Sequence, residues 1–345
     1  MVIKNATVLT DSFVFEKQDV LIENDKIIDI GFDLHGEDIV DGKDSYLVAG
    51  FVDIHTHGCV GFDACDANYD GYKKMAEFYA SKGVTSFLFT TMTLPKHELI
   101  NILSLINKYM KSSHSGCAIP QGVYLEGPFI SPTKKGAQDD SHIKKPDIEL
   151  FEQLDIASGN NIAVVTVAPE VDGSDDFIKY ISNKCKVSIA HTDADYETSI
   201  KAIGNGASNI THLFNAMPPF LHRKSGVVGA GFDSENVTLE LICDGIHLEP
   251  SVIRTAFKVA ADRVVLISDS MMAAGLSDGE YSLGGQYVKV ENGVARLKDG
   301  TIAGSASNLH KNIKNCINFG IEPQIAIKSA TLIPATVIDK EKEIG

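Results

Sequence analysis

From Phe51 onward, apolar runs of strand length alternate eight times with amphipathic, helix-like stretches, and no other feature of the chain limits its fold as tightly. The runs are FVDIHTH (51–57), VTSFLFTT (84–91), GVYLEGPF (122–129), IAVVTVAPE (162–170), KVSIAHTD (186–193), SNITHLFNA (208–216), VTLELICDG (237–245) and VVLISDS (264–270). Helical spacing is clearest over Tyr72–Lys82, Lys96–Lys111 and Pro250–Ala261. Strands that alternate with helices make a parallel sheet covered on both faces. Eight such units in a row predict closure into a (β/α)8 TIM-type barrel, an α/β fold.

The flanks read differently. Residues 1–49 hold short runs (VIKNATVLT, DVLIENDKIIDIG, SYLVAG) whose alternation and Asn24-Asp25 turn predict a small antiparallel β module. After the eighth run, QYVKVENGVARLKDGTIAG places two strands around Asn292-Gly293, a strong hairpin signal. A helix over Asn308–Phe319 follows, then IEPQIAIKSATLIPATVI and a short charged end.

Composition narrows the function. The formal net charge is −15 over 345 residues, with no basic face or run, which argues against nucleic acid as a partner. An anionic substrate would then need a local cluster of cations. The six cysteines are scattered without a C-x-x-C pair and read as reduced thiols of a cytoplasmic protein. The start lacks the layout of a signal peptide, and no run of eighteen apolar residues predicts a membrane span.

Polar residues gather at the C-terminal ends of the runs, where barrel enzymes build their sites. In order they are His55 and His57, Glu126, His191, His212 and Asp269. Positions two apart on a strand face the same way, so His55 and His57 can point inward together. A lone histidine at a strand end is more often structural than a ligand, and His191 or His212 alone would carry little weight. Glu126 and Asp269, however, sit in apolar runs where a bare carboxylate is costly. Six such residues at equivalent ends form a set that imidazole and carboxylate chemistry assigns to zinc or ferrous iron. A divalent ion would lower the pKa of bound water from about 16 towards about 7. A carboxylate beside it, with Asp269 the candidate, would act as general base and then general acid. Further on, THLFNAMPPFLHRKSG offers Asn215, the main chain at Ala216 and Arg223 for an anion, with His247 a further candidate. By residue type alone Arg223 and Lys224 read more readily as an ordinary solvated loop pair.

Taken together, these residues resemble the N-acetylglucosamine-6-phosphate deacetylases of the amidohydrolase superfamily. The resemblance rests on AGFVDIHTHG (49–58), YLEGPFISPTKKGA (124–137), VAPE (167–170), AHTDA (190–194), THLFNAMPP (211–219), DGIHLEP (244–250), SDSMMAAG (268–275) and AGSASNL (303–309). It implies deacetylation of N-acetylglucosamine 6-phosphate in amino-sugar catabolism, by a barrel spanning 50–333 with a small β-sandwich from 1–49 plus 334–345. It implies one or two divalent metals: Glu126, His191 and His212 as ligands of the main site, His55 and His57 of a second, with Glu126 bridging. Asp269 is then the catalytic acid and base, Asn215, Ala216 and Arg223 contact phosphate or sugar, and His247 reaches the neighbouring subunit of a homodimer.

Two departures stand out. Gln138 occupies the position where the family often carries a histidine that polarises the substrate carbonyl, so weaker or different polarisation is expected. The family also continues beyond KEKEIG, so the small sandwich is expected to be incomplete. Two other readings compete. Dihydroorotase- or hydantoinase-like enzymes use a carboxylated lysine after strand four, and VVTVAPE has none. A catalytically silent sugar-phosphate-binding homologue would have no need of Asp269 and the full ligand set.

Overall fold

A computed structural model describes residues 1–24 and 26–344. The first strands are β1 (Val2–Leu9), β2 (Phe15–Glu23), β3 (Lys26–Gly31), β4 (Ile39–Asp41) and β5 (Tyr46–Leu47). They form one separate sheet in the order β3-β2-β1-β4, with β5 also beside β1. β1, β2 and β3 pair antiparallel, but β4 and β5 pair parallel to β1, so the module is mixed rather than antiparallel throughout. The cause is the segment between β3 and β4, which carries the chain across to the far edge of β1. Asp25, half of the expected turn, lies outside the described residues. Ala6, Val8 and Val20 make the buried face.

The barrel strands are β6 (Phe51–Thr56), β9 (Val84–Thr90), β10 (Ile119–Leu125), β11 (Ile162–Val167), β12 (Lys186–Ile189), β13 (Ala207–Ile210), β14 (Thr238–Ile242) and β15 (Val264–Ile267), with a short ribbon of β7 (Gly58–Cys59) and β8 (Phe62–Asp63) after β6. All eight run parallel in sequence order, as the alternating pattern predicts. The helices on the outside are α1 (Tyr69–Ser81), α2 (Lys96–Met110), α3 (Ile148–Ser158), α4 (Ser174–Ile181), α5 (Tyr196–Gly204), α6 (Gly226–Asp233), α7 (Pro250–Ala260) and α8 (Leu309–Asn318). α1 shows why they stay there. Tyr72, Met75, Ala76 and Tyr79 repeat at helical spacing and are buried, while the Asn68 side chain accepts from Gly71 N and caps the first turn.

β6 and β15 meet differently from the other neighbours. At the C-terminal end Thr56 bridges Ser270, His57 N donates to Ser270 O (2.8 Å), and Asp269 N donates to His55 O (3.0 Å). Lower down, Val52 N and Leu266 N donate instead to Ala330 O and Ser329 O, both at 2.8 Å. The seam between first and last strands is therefore patched by a later segment of the chain.

That segment runs through α9 (Pro323–Lys328) into α10 (Leu332–Val337), whose Ile333, Ala335 and Val337 join Ile54, Tyr124, Ile242 and Ile267 inside the barrel. Residues 334–344 accordingly add no strand to the small sheet. The apolar character expected to serve a sandwich instead fills the floor of the barrel, where open strand ends need covering. The Asn292-Gly293 hairpin is present, both residues having positive φ (52° and 74°), between β17 (Gln286–Glu291) and β18 (Val294–Arg296). A third strand, β16 (Gly279–Leu283), completes it, and this small sheet roofs the C-terminal mouth.

Candidate metal centre

The ligand candidates converge because of where their strands stop. β12, β13 and β15 end at Ile189, Ile210 and Ile267, and His191, His212 and Asp269 each follow two residues later. All three have positive φ (44°, 29° and 47°), a backbone that side-chain-bearing residues rarely adopt. Glu126 follows β10 directly, and His55 and His57 come from the end of β6. All six are buried, none more than 7% exposed.

Two triads share Glu126. Its Oε1 lies 3.1 Å from His191 Nε2 and 3.2 Å from His212 Nε2, and those nitrogens are 3.2 Å from each other. Tetrahedral ligands about 2.0 Å from zinc stand about 3.3 Å apart, so this triangle has the size such an ion requires. On the other side Glu126 Oε2 is 3.3 Å from His57 Nε2, while Oε1 is 3.6 Å from His55 Nε2. Asp269 Oδ1 closes this group at 3.2 Å from His57 Nε2 and 3.6 Å from His55 Nε2. His55 Nε2 is buried with no hydrogen-bond partner, which is costly unless a ligand meets its lone pair. The residues present therefore fit a divalent cation.

The electrostatics agree. Burial alone would lower the His57 pKa, but hydrogen bonds to Asp269 and Glu126 push it up to about 10. Burial would likewise raise Glu126, yet the His55 charge and hydrogen bonds from His191, His212 and His57 hold it well below 4.5. Asp269 is also held below 3.8, against burial, by His57 and His55. The cluster favours positive charge at its centre.

The surrounding hollow, about 370 Å³, falls in the range of small-molecule sites of about 300–1,000 Å³. His57, Glu126, Gln138, His191, His212, Asn215, Ala216, His247 and Asp269 line it, with Leu283, Thr301 and Ile302 from the roof. Gly136 also borders it, and a Cβ there would lie 3.2 Å from the His191 ring, so the loop passes where only glycine fits without displacing that ring.

The other expected contacts divide. Gln138 is committed on both sides: Oε1 accepts from Thr93 N (2.7 Å) and Nε2 donates to Glu126 Oε2 (2.8 Å). It is placed to orient Glu126 rather than to face a substrate carbonyl freely. Asn215 Nδ2 donates to His212 O (3.2 Å) and Leu213 O (3.3 Å), leaving Oδ1, an acceptor suited to a hydroxyl. Ala216 O accepts from Thr192 N (3.1 Å), so only its N–H remains to meet a ligand. Arg223 is not in this hollow. It lines a separate exposed one beside Asp193, Asp195 and Glu197, with Nη1 2.7 Å from His222 Nε2. His247 lines the hollow within its own chain and needs no second copy to reach it. Its Nδ1 is 2.8 Å from Asp244 Oδ2.

Sequence reasoning passed over Glu240 on β14, fully buried with Oε2 3.0 Å from His55 Nδ1. The signal was available: VTLELICDG carries a carboxylate inside an apolar run, as VYLEGPF does. It also passed over Asp244 and the roof residues, whose approach depends on tertiary packing alone.

Known proteins resemble this chain in sequence and fold. The model of the amidohydrolase family matches residues 46–345. The N-acetylglucosamine-6-phosphate deacetylase of Bacillus subtilis strain 168 is 36% identical over 327 residues, 92% of this chain and 83% of that protein. The N-acetylgalactosamine-6-phosphate deacetylase of Escherichia coli O157:H7 is 34% identical, covering 87% of this chain and 80% of that protein. Among solved structures, a mutant N-acetyl-D-glucosamine-6-phosphate deacetylase from Mycobacterium smegmatis, in complex with N-acetyl-D-glucosamine-6-phosphate, superposes with a TM-score of 0.90 at 28% identity. That match covers 98% of this chain and 90% of that one. With its paired histidine–glutamate triads at the mouth of a parallel barrel, the chain belongs to the amidohydrolase family.

Proposed function

We propose that this chain hydrolyses the acetamide of N-acetylglucosamine 6-phosphate, releasing glucosamine 6-phosphate and acetate. The observation that carries the proposal is the Glu126-centred cluster with Asp269 Oδ1 3.2 Å from His57 Nε2 at the base of the hollow. The names of the relatives supply the substrate. Glu126, His191 and His212 would hold one divalent ion, and His55 and His57 with Glu126 a second, zinc or ferrous iron by donor type. Such an ion, when bound, makes water acidic enough to act at neutral pH and draws charge from a carbonyl oxygen. Asp269 takes the proton of the attacking water as the C–O bond forms, and returns it to the amine nitrogen as the C–N bond of the tetrahedral adduct then breaks. Asn215 Oδ1 accepts from a sugar hydroxyl, the Ala216 N–H donates to an anionic oxygen, and His247, on the wall of the hollow, donates to the phosphate while it is protonated.

The deciding experiment incubates purified, metal-loaded protein with N-acetylglucosamine 6-phosphate and measures free amine. Metal-dependent release is expected, and its absence overturns the proposal. The galactosamine isomer belongs in the same assay, because one relative is named for it; faster release from that isomer would reassign the substrate. Six unpaired thiols among the described residues support a reducing, cytoplasmic setting, and a secreted native protein would contradict it. The homodimer rests on the resemblance, and sedimentation as a monomer would remove it.

A further inference from the structure

Behind the metal cluster, in the barrel interior, lies a carboxylate that the mechanism does not use. Glu240 is fully buried, and its two oxygens have different surroundings. Oε1 accepts from Asn209 Nδ2 (2.6 Å) and from the Tyr124 hydroxyl (3.0 Å). The hydroxyl chain behind them fixes the direction of these bonds. Tyr124, donating to Glu240, must accept from Thr211 (2.7 Å), and Thr211 in turn from Ser188 (2.6 Å). Asn209 Nδ2 spends its other hydrogen on Ser188 Oγ (2.9 Å). Glu240 is thus an acceptor on this side, and the remaining oxygen, Oε2, faces His55 Nδ1 at 3.0 Å.

A carboxylate acceptor requires that Nδ1 carry the proton. In the neutral ring that meets a cation, the lone pair of His55 is then on Nε2, the same buried atom that has no partner and points between Glu126 and Asp269. Ring rotation is blocked as well, because Tyr124 packs against the imidazole with centroids 4.5 Å apart. A carboxylate that fixes both tautomer and orientation of a ligating histidine raises its basicity and its affinity for a cation.

We propose that Glu240 is the positioning residue that makes the His55–His57–Glu126 group a working second metal position, while the Glu126–His191–His212 group fills without it. The proposal rests on the reading of His55 as a ligand. Glu240→Gln keeps the volume and the bonds to Tyr124 and Asn209 but loses the charge that holds Nδ1–H. Elemental analysis of protein titrated with zinc should give two equivalents for wild type and one tight equivalent for Glu240→Gln, the weaker site losing about 10- to 100-fold in affinity. Spectra of isotope-labelled histidine in the metal-free protein, taken at a pH high enough for His55 to be neutral, should show it protonated at Nδ1 in wild type and redistributed in the variant. Two equally tight equivalents in Glu240→Gln would overturn the proposal and leave the two-metal reading intact. A single equivalent in wild type would overturn both. Tyr124→Phe, which removes a donor to Glu240 without touching His55 Nδ1, should keep two equivalents. Loss of the second there would show packing, rather than tautomer control, to be the cause.

Discussion

Asp269 shows how much one side chain can carry. It is buried, held below the ordinary carboxylate pKa by His57 and His55, and set on left-handed backbone at the barrel mouth. Asp269→Asn removes the proton acceptor with little change in volume. The expected result is metal content near that of wild type with kcat down by at least about 10²–10⁴-fold, the usual worth of a general acid–base. Elemental analysis beside a single-turnover amine assay would check both halves, and an active variant would relieve Asp269 of its role. His247 answers to pH. Burial would lower its pKa, but its hydrogen bond to the Asp244 carboxylate outweighs that and lifts it above 6.5. A raised histidine contributes fully below 6.5 and loses that contribution as pH climbs through the raised value. KM for the phosphorylated substrate should therefore rise on the alkaline side in wild type and stay flat in His247→Gln. A parallel rise in the variant would assign the effect elsewhere.

At the scale of elements, the runs 186–193 and 208–216 pass Ile189 and Ile210, where β12 and β13 stop, but the eight strands themselves were legible because parallel strands covered on both faces must be apolar. α2 and α7 were legible to within one residue at their ends for the same reason. The mixed pairing of β4 and β5 was not, since short strands that lie exposed carry no periodic signature. Nor was the descent of α10 into the barrel floor, because LIPATV suits a strand, a helix or a plug equally well by composition. The convergence of the candidate ligands could be read from residue type and position, whereas Glu240 needed its partners to show what its charge does. Packing between elements is illustrated by Phe89 of β9, whose ring stands 4.8 Å from Tyr72 of α1, 4.8 Å from Phe87 of its own strand and 5.9 Å from Tyr109 of α2. Phe89→Ala should cost about 3–5 kcal/mol, since one ring on the same strand and two on separate helices cannot all close the gap. Urea unfolding would measure it, and a loss under about 1 kcal/mol would mean that the rings repack.

For the molecule as a whole, metal and fold are linked. The cluster joins β6, β10, β12, β13 and β15 through their last residues, so an ion there binds only the closed barrel. Stripping it with a chelator should lower the melting midpoint, by an amount that approaches about 4 kcal/mol of stability when free metal stood at a thousand times Kd. Restored metal should return the midpoint, and no shift would place the ion outside the folded-state equilibrium. Among the described residues no helix is long and apolar enough to cross a membrane.

The seam between β6 and β15 gives this linkage a direction. Near the mouth the first and last strands are joined by Asp269 N to His55 O, His57 N to Ser270 O and the Thr56–Ser270 bridge, all within or beside the ligand set. The residues proposed to perform the chemistry are thus also the clasp of the hoop, and whatever occupies that centre acts as its rivet.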